Sequence, residues 1–551
     1  MRSSTPIDHP RWPPPGRTSL SCRPPWPKAQ RYVLPALVAV AYSLAAGLGG
    51  SGLSAGASVP GSEGADALPP SSPAVRKLVN DLCLHVRKAQ RPDGGWGEGR
   101  SFAEAAFAAL QGGTRPSDPA NTAFAAMAIL AVGNTLDRGD GAPALSKATE
   151  FLLRWAEAIP EGQLGRPDLL TGDLVSRNAP PFIRDRFGME INTFATVQYF
   201  ARLLPTLADA SAGEPLGDLR ARIERALDRL VRRMALIQSP GGQWAKWGFS
   251  GVDGIRWPFP WPTAIASSGL ELSRGAGRTI DEPALGRARA YLAAQLDPAT
   301  GTMRVTYFGT GTLDGRNIHN PLELRVVAAT MRGTALQARV ARELVGGGDG
   351  AAGQPAAGEI SVARLKKVGV RPDVAAALVQ AYLVNQRMHQ VVDGGRGPPP
   401  PPEVSMEHLK GRVTFLCGNA PGRLQSLALF PYWLISESMV LARSPAWPAF
   451  RETLAQWVIE YVAFDRARPM FVSEWDSLSQ HWSALAILSL TADWEIGGVR
   501  DPGAPPANAA AAPRRTFNPL ERSLQAELAA IRSQLKASPA AKQKKRGETT
   551  R

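Results

Sequence analysis

Cysteine is nearly absent. Cys22, Cys83 and Cys417 are the only three in 551 residues. The set is odd and sparse, which does not fit a disulfide framework, and none stands in a Cys-x-x-Cys pair of the kind a structural zinc site needs. Alternating β-branched stretches are scarce, which disfavours a strand-built fold. A long continuous apolar run is missing as well. The most apolar one, Tyr32 to Leu48, falls short of the roughly 20 residues that span a membrane, and Pro35 weakens it further. The body also lacks a basic stripe. The net charge is +15, yet residues 1–31 contribute +5 and residues 498–551 contribute +7, so most of the excess lies in the tails. That distribution argues against a nucleic-acid partner. The run Lys542-Gln543-Lys544-Lys545-Arg546 reads as a solvated tail.

What is present is globular. Hydrophobic residues make up 44% and charged residues 20%, enough to bury a large core. Residues 1–31 are basic and proline-rich, residues 32–48 are apolar, and Ala55-Gly56-Ala57 follows as an A-x-A-like site. This is the layout of an export signal. The chain is therefore expected in the periplasm, outside the cell or anchored at the membrane. Residues 1–57 serve either as a signal peptide cleaved near Ser58 or as a membrane anchor through residues 32–48. Residues 58–73 read as a linker, 74–495 as one helical domain, 496–517 as a second linker, and 518–551 as a C-terminal helix with a basic tail.

The domain reads as all-α. Val75, Leu78, Val79, Leu82 and Val86 fall on one face of a helix over 74–90, opposite Arg76, Lys77, Asp81 and Arg87. Residues 120–133 are apolar nearly all round, the mark of a buried helix. The same order, amphipathic then buried, recurs. Amphipathic segments lie at 144–160, 216–238, 284–295, 372–390 and 447–463, and buried ones at 191–204, 262–273, 322–338, 424–442 and 477–491. In 216–238, Leu219, Ile223, Leu227, Leu230, Met234 and Ile237 make the apolar stripe, with Arg222, Arg225, Arg229 and Arg233 assigned to the solvent side. A last helix over 519–536 carries Leu520, Leu524, Leu528, Ile531 and Leu535 on a narrow stripe, suited to self-association or to docking on the body.

A turn repeats after the amphipathic helices. Residues 90–96 read Gln-Arg-Pro-Asp-Gly-Gly-Trp and residues 238–244 read Gln-Ser-Pro-Gly-Gly-Gln-Trp. Weaker versions begin at Gln295 and at Gln390, the latter without its Trp. Glycine supplies positive φ at a helix end, and a glutamine amide can bond backbone groups left free there. Gln90, Gly94 and Trp96, with Gln238, Gly242 and Trp244, resemble the Gln-x-x-x-Gly-x-Trp repeat of squalene and hopene cyclases. Protein prenyltransferase subunits have related repeats. The resemblance spans roughly residues 74–400, and the helix alternation extends it to about residue 495. It implies an α/α toroid of about six outer/inner helix pairs, in which the repeat residues are structural.

The resemblance brings the fold without its usual catalysts. Class II terpenoid cyclases protonate their substrate with an Asp-x-Asp-Asp acid, and no such tetrad occurs in this chain. The nearest cluster, Asp137 to Asp140, reads as a turn. Protein prenyltransferases hold zinc through Asp, Cys and His, whereas Cys83 and His85 face different ways on their helix. Cys417-Gly418-Asn419-Ala420 lacks the glutamine of the Cys-Gly-Glu-Gln motif of thioester domains. No metal site and no cofactor are expected. Three segments remain as candidates, each at the entrance to a buried helix. One is the aromatic run containing Asp253, Trp257 and Trp261, and another holds Glu474, Asp476 and His481. The third holds His319 and Glu323. Aromatic faces line a lipid pocket or stack on sugars, and carboxylates with a histidine suit acid–base work. Three functions follow: an exported toroid binding a prenyl-like or other small apolar ligand, a polysaccharide lyase or glycoside hydrolase acting on glycan, or a non-catalytic interaction scaffold.

Overall fold

The computed structural model describes residues 71–97, 117–165, 190–209, 213–244, 260–305, 309–312, 321–346, 360–393, 422–467, 479–496 and 517–537. All of them lie in the unit Ala65–Arg551, and the other unit, Met1–Gly64, is outside the described residues. The predicted signal or anchor segment therefore also lies outside them. Among the described residues, no helix is long and apolar enough to cross a membrane.

The described chain is almost entirely helical. Its helices are α1 (Pro73–Lys88), α2 (Pro119–Ala131), α3 (Ala142–Ala158), α4 (Ile191–Leu203), α5 (Pro215–Ile237), α6 (Pro260–Gly275) and α7 (Glu282–Ala293). After a two-stranded antiparallel hairpin, β1 (Thr302–Val305) and β2 (Gly309–Thr312), come α8 (Pro321–Gly346), α9 (Val362–Lys367), α10 (Pro372–Asp393), α11 (Gly422–Leu441), α12 (Trp447–Ala467), α13 (Ser479–Leu490) and α14 (Pro519–Ala537). The sequence pattern anticipates the twelve large helices of the body and α14. The hairpin and α9 have no counterpart in that reading, and α8 runs past its anticipated end near residue 338.

Local chemistry sets the helix starts. Ser72 accepts from the Val75 N–H ahead of Pro73, and Asp118 accepts from the Ala120 and Asn121 N–H groups ahead of Pro119. Each pairs an N-cap oxygen with a proline whose missing N–H costs nothing in the first turn. The two helix classes also differ in burial. Every described residue of α4, and of α6 from Pro260 to Ser273, is buried, whereas α1 and α5 bury one stripe.

The mostly buried helices pack on one another in a closed order: α2 on α4, α4 on α6, α6 on α8, α8 on α11, α11 on α13, and α13 back on α2. The amphipathic helices lie against this cycle, with α3 on α2, α5 on α4, α7 on α6 and α8, α10 on α8, α12 on α11 and α13, and α1 on α13 and α2. The two ends of the domain meet. Ser72 donates from its backbone N–H (3.2 Å) and its hydroxyl (2.7 Å) to the Glu452 carboxylate on α12, and the Trp494 indole donates to the Ser71 hydroxyl (2.9 Å).

Helix α14 docks on α6, α8 and α11. Its predicted stripe is covered within the chain: Leu520, Leu524, Leu528 and Ile531 are buried, and Leu535 is packed against the core. Asn518 caps it by accepting from the Leu520 and Glu521 N–H groups, while its amide donates to the Ala492 carbonyl (3.3 Å). Gly275 of α6 lets α14 approach closely, since a Cβ there would sit 3.0 Å from the backbone nitrogen of Ser523.

Candidate functional site

The repeat turns form as the sequence implies. Gln90 donates to the Gly94 carbonyl (2.9 Å) and to the Ala144 carbonyl at the start of α3 (2.8 Å). Gln238 donates to the Gly242 carbonyl (3.0 Å) and to the Ala284 carbonyl at the start of α7 (2.8 Å). Each amide thus ties its own turn to the next amphipathic helix. The indole N–H of Trp96 returns to the Val86 carbonyl (2.8 Å) and that of Trp244 to the Met234 carbonyl (2.6 Å), in the last turn of the helix just left. Both rings are buried. The Trp96 and Trp244 backbone N–H groups donate to the hydroxyls of Thr122 and Thr263, in the first turns of α2 and α6. Gly94 and Gly242 take φ of 89° and 88°, a region that side chains with a Cβ rarely adopt. A Cβ would also fall 2.6 Å from the Lys147 carbonyl oxygen or 2.4 Å from that of Arg287.

The weaker versions differ. Gln295 turns its amide back to the Tyr291 carbonyl of its own helix (2.8 Å), and the chain passes through a turn with Gly301 at positive φ into β1. Gln390 opens no turn of this kind, because α10 stays helical to Asp393. It is exposed and accepts from Arg387 (3.3 Å). Gly394, at the offset held by Gly94 and Gly242 in the full motifs, lies outside the described residues.

Of the candidate chemical residues, Asp253, Trp257, His319, Glu474 and Asp476 lie outside the described residues. Glu323 falls in the first turn of α8 and His481 in the first turn of α13. Trp261 is the second residue of α6 and is only 4% exposed, beneath the Arg325 guanidinium of α8 at 5.2 Å. The aromatic run is therefore not left open at this position, because a neighbouring helix supplies a cation for the ring face. Cys83 is buried and His85 exposed. Burial pushes the Cys83 thiol up to about 11 against the smaller opposing effect of Arg87, so it stays a protonated thiol.

A group of buried charges escaped the sequence reading. Arg332 of α8 donates to Glu437 of α11 (2.6 Å), to Glu271 of α6 (2.9 Å) and to the Ser268 hydroxyl (2.6 Å). Arg202 of α4 reaches Glu437 from the other side (2.5 Å), and the Trp433 indole donates to the same carboxylate (3.0 Å). Arg289 of α7 pairs with Glu271 (2.8 Å) and with Glu527 of α14 (2.9 Å), and Arg274 also pairs with Glu527. Burial alone would raise the Glu437 carboxyl. Arg202 and Arg332 more than reverse this and hold it below the ordinary carboxylate range. A second correction concerns Arg233, assigned to the solvent side of α5. It is 1% exposed and pairs with Glu190 (3.3 Å) while donating to the Gln163 and Leu164 carbonyls. A signal for the central group was available. Glu271, Arg332 and Glu437 are charged residues inside otherwise apolar helices, and such residues are buried only when paired.

Contacts fix the sense of the buried helices. Near their starts, Asn192 of α4 accepts from the Ala120 N–H of α2 (3.2 Å), and Trp261 of α6 meets Arg325 of α8. Further along, Glu271 of α6 meets Arg332 of α8, so neighbouring buried helices begin side by side. The connections that enter a buried helix are mostly long: 89–118, 159–190, 238–259, 294–320 and 394–421, with 468–478 shorter. Connections leaving one are mostly short, as at 132–141, 204–214, 276–281 and 442–446. All the candidate residues named from the sequence belong to the entering side. No family model, curated protein or solved structure matches this chain.

Proposed function

We propose that the closed order of buried helices is an α/α toroid similar to that of terpenoid cyclases and prenyltransferases. On this reading the exported chain uses the toroid as a non-catalytic interaction scaffold, presenting its partner-binding face where the inner helices begin. The observation that carries this reading is direct contact between non-neighbouring helices of the cycle. Helices α4 and α11 stand three steps apart in the cycle whichever way it is followed, yet Arg202 and Glu437 join them directly at 2.5 Å. Phe124 of α2 and Trp433 of α11, also non-neighbours, meet edge to face at 5.5 Å. A prenyl chain needs a continuous apolar cavity, and a paired charge network across that cavity cannot give way without leaving desolvated ions. The long entering connections support the placement of the face, because long connections between packed elements usually carry function.

The direct test is incubation of the purified chain with squalene and, separately, with farnesyl diphosphate, followed by extraction and mass spectrometry. Without an Asp-x-Asp-Asp acid to protonate an alkene, no cyclic product is expected. With these contacts crossing the cycle, no co-purifying isoprenoid is expected. Either finding would return the function to a cyclase-like or apolar-ligand protein. Release of oligosaccharides from a polysaccharide panel would instead establish the glycan-degrading alternative.

A further inference from the structure

The pocket formed by Arg274 and Arg289 holds the one buried carboxylate that α14 brings to the body. Arg289 takes Glu527 in a fork, Nη1 to Oε1 at 3.2 Å and Nη2 to Oε2 at 2.9 Å, and Arg274 reaches Oε2 from the other side. The three side chains are 7%, 11% and 10% exposed. Two parallel N–H to oxygen bonds on a planar group are the geometry by which arginine selects carboxylates. The charges around the pocket make the occupant necessary. Glu271 is shared between Arg289 and Arg332, and Glu437 between Arg332 and Arg202. Without Glu527, four arginines, Arg202, Arg274, Arg289 and Arg332, would face three carboxylates, Glu271, Glu437 and the exposed Glu282, which pairs with Arg274 at 3.1 Å.

The occupant arrives on a detachable piece. Helix α14 follows a stretch rich in Gly, Pro and Ala, residues 497–516. Besides its apolar stripe, it is tied to the body by Asn518 to the Ala492 carbonyl and Arg522 to the Gly275 carbonyl (3.4 Å). A backbone pair just ahead of the helix, Ile496 with Phe517, adds bonds of 2.9 and 3.4 Å. All these ties lie at the helix start, and among the described residues Glu527 is the charged anchor further along.

We propose that the Arg274–Arg289 pocket is a carboxylate-binding site, filled from within the chain by Glu527, and that α14 is its displaceable occupant. A free carboxylate or an acidic peptide presenting one is the ligand class that would compete. The inference does not depend on the scaffold reading, since it concerns only the seat of α14.

The test is full-length Glu527→Ala, which removes the carboxylate and keeps both arginines. Its melting temperature should fall by about 5 °C for the loss of a buried ion-pair partner. Sodium formate should restore at least half of that loss, while equimolar sodium chloride should not, and the wild type should gain less than the variant. Equal effects of formate and chloride on the variant would overturn the proposal. Hydrogen exchange of the wild-type chain gives an independent answer should the variant fail to fold. Residues 519–537 should exchange faster in formate than in chloride while α2 and α4 stay unchanged, and identical exchange in the two salts would overturn it.

Discussion

Two turns of the same domain do one job by different means. After α5, the segment Gln238 to Trp244 supplies its own fastening: an amide for the neighbouring helix, a glycine for the reversal and an indole to close the helix end. After α3, no such motif exists. There the chain from Ile159 to Leu164 is held by arginines of α5, with Arg229 donating to the Ile159 carbonyl and Arg233 to those of Gln163 and Leu164. The first turn is stabilised locally and the second by a partner about 70 residues away. Free carbonyls at a helix end must be satisfied in either case. What differs is whether the solution can be read from adjacent residues.

Substitutions can break this comparison at graded cost. The largest effect is expected for Trp244→Ala, which empties a buried indole site and orphans the Met234 carbonyl. It should lose about 3–5 kcal/mol in urea unfolding, and Trp96→Ala should behave alike. Arg233→Ala comes next, at about 3 kcal/mol, because the buried Glu190 carboxylate loses its Arg233 ion pair. Combining it with Glu190→Gln should recover part of that loss, and a strictly additive double variant would contradict the pairing. Gly242→Ala should cost about 1–3 kcal/mol through its positive φ and its clash with the Arg287 carbonyl. The smallest pair isolates the glutamine: Gln238→Ala should lose about 1 kcal/mol, and Gln390→Ala should stay within about 0.5 kcal/mol by thermal melting. Equal losses at the two glutamines would show that the turn contributes nothing beyond the helix.

Helix alternation was legible because burial leaves a periodic trace in the residues themselves. Helix α2 is apolar or small nearly all round, and the structure buries it from Ala120 to Leu130. The turns at Gln90 and Gln238 were legible because all their parts lie within seven residues. Arg233 was misread for a related reason. Four arginines spaced three and four apart look like a solvated face, and only the Glu190 carboxylate just before α4 and carbonyls beyond α3 show why the last turns inward. The central charges share this property, since Arg202 and Glu437 are 235 residues apart. The docking of α14 depended on Gly275, whose missing Cβ matters only once Ser523 lies against it.

The meeting of Ser72 with Glu452 sets a clock on biosynthesis. The two are 380 residues apart, so at typical elongation rates roughly 20–80 s separate their emergence from the ribosome. Until then α1 lacks the helix α13 that it packs on, and the buried faces of α2 and α11 wait without α13 between them. Such an arc of apolar helices is prone to association with other nascent chains. Folding that starts only after the last helix has been made would avoid that interval.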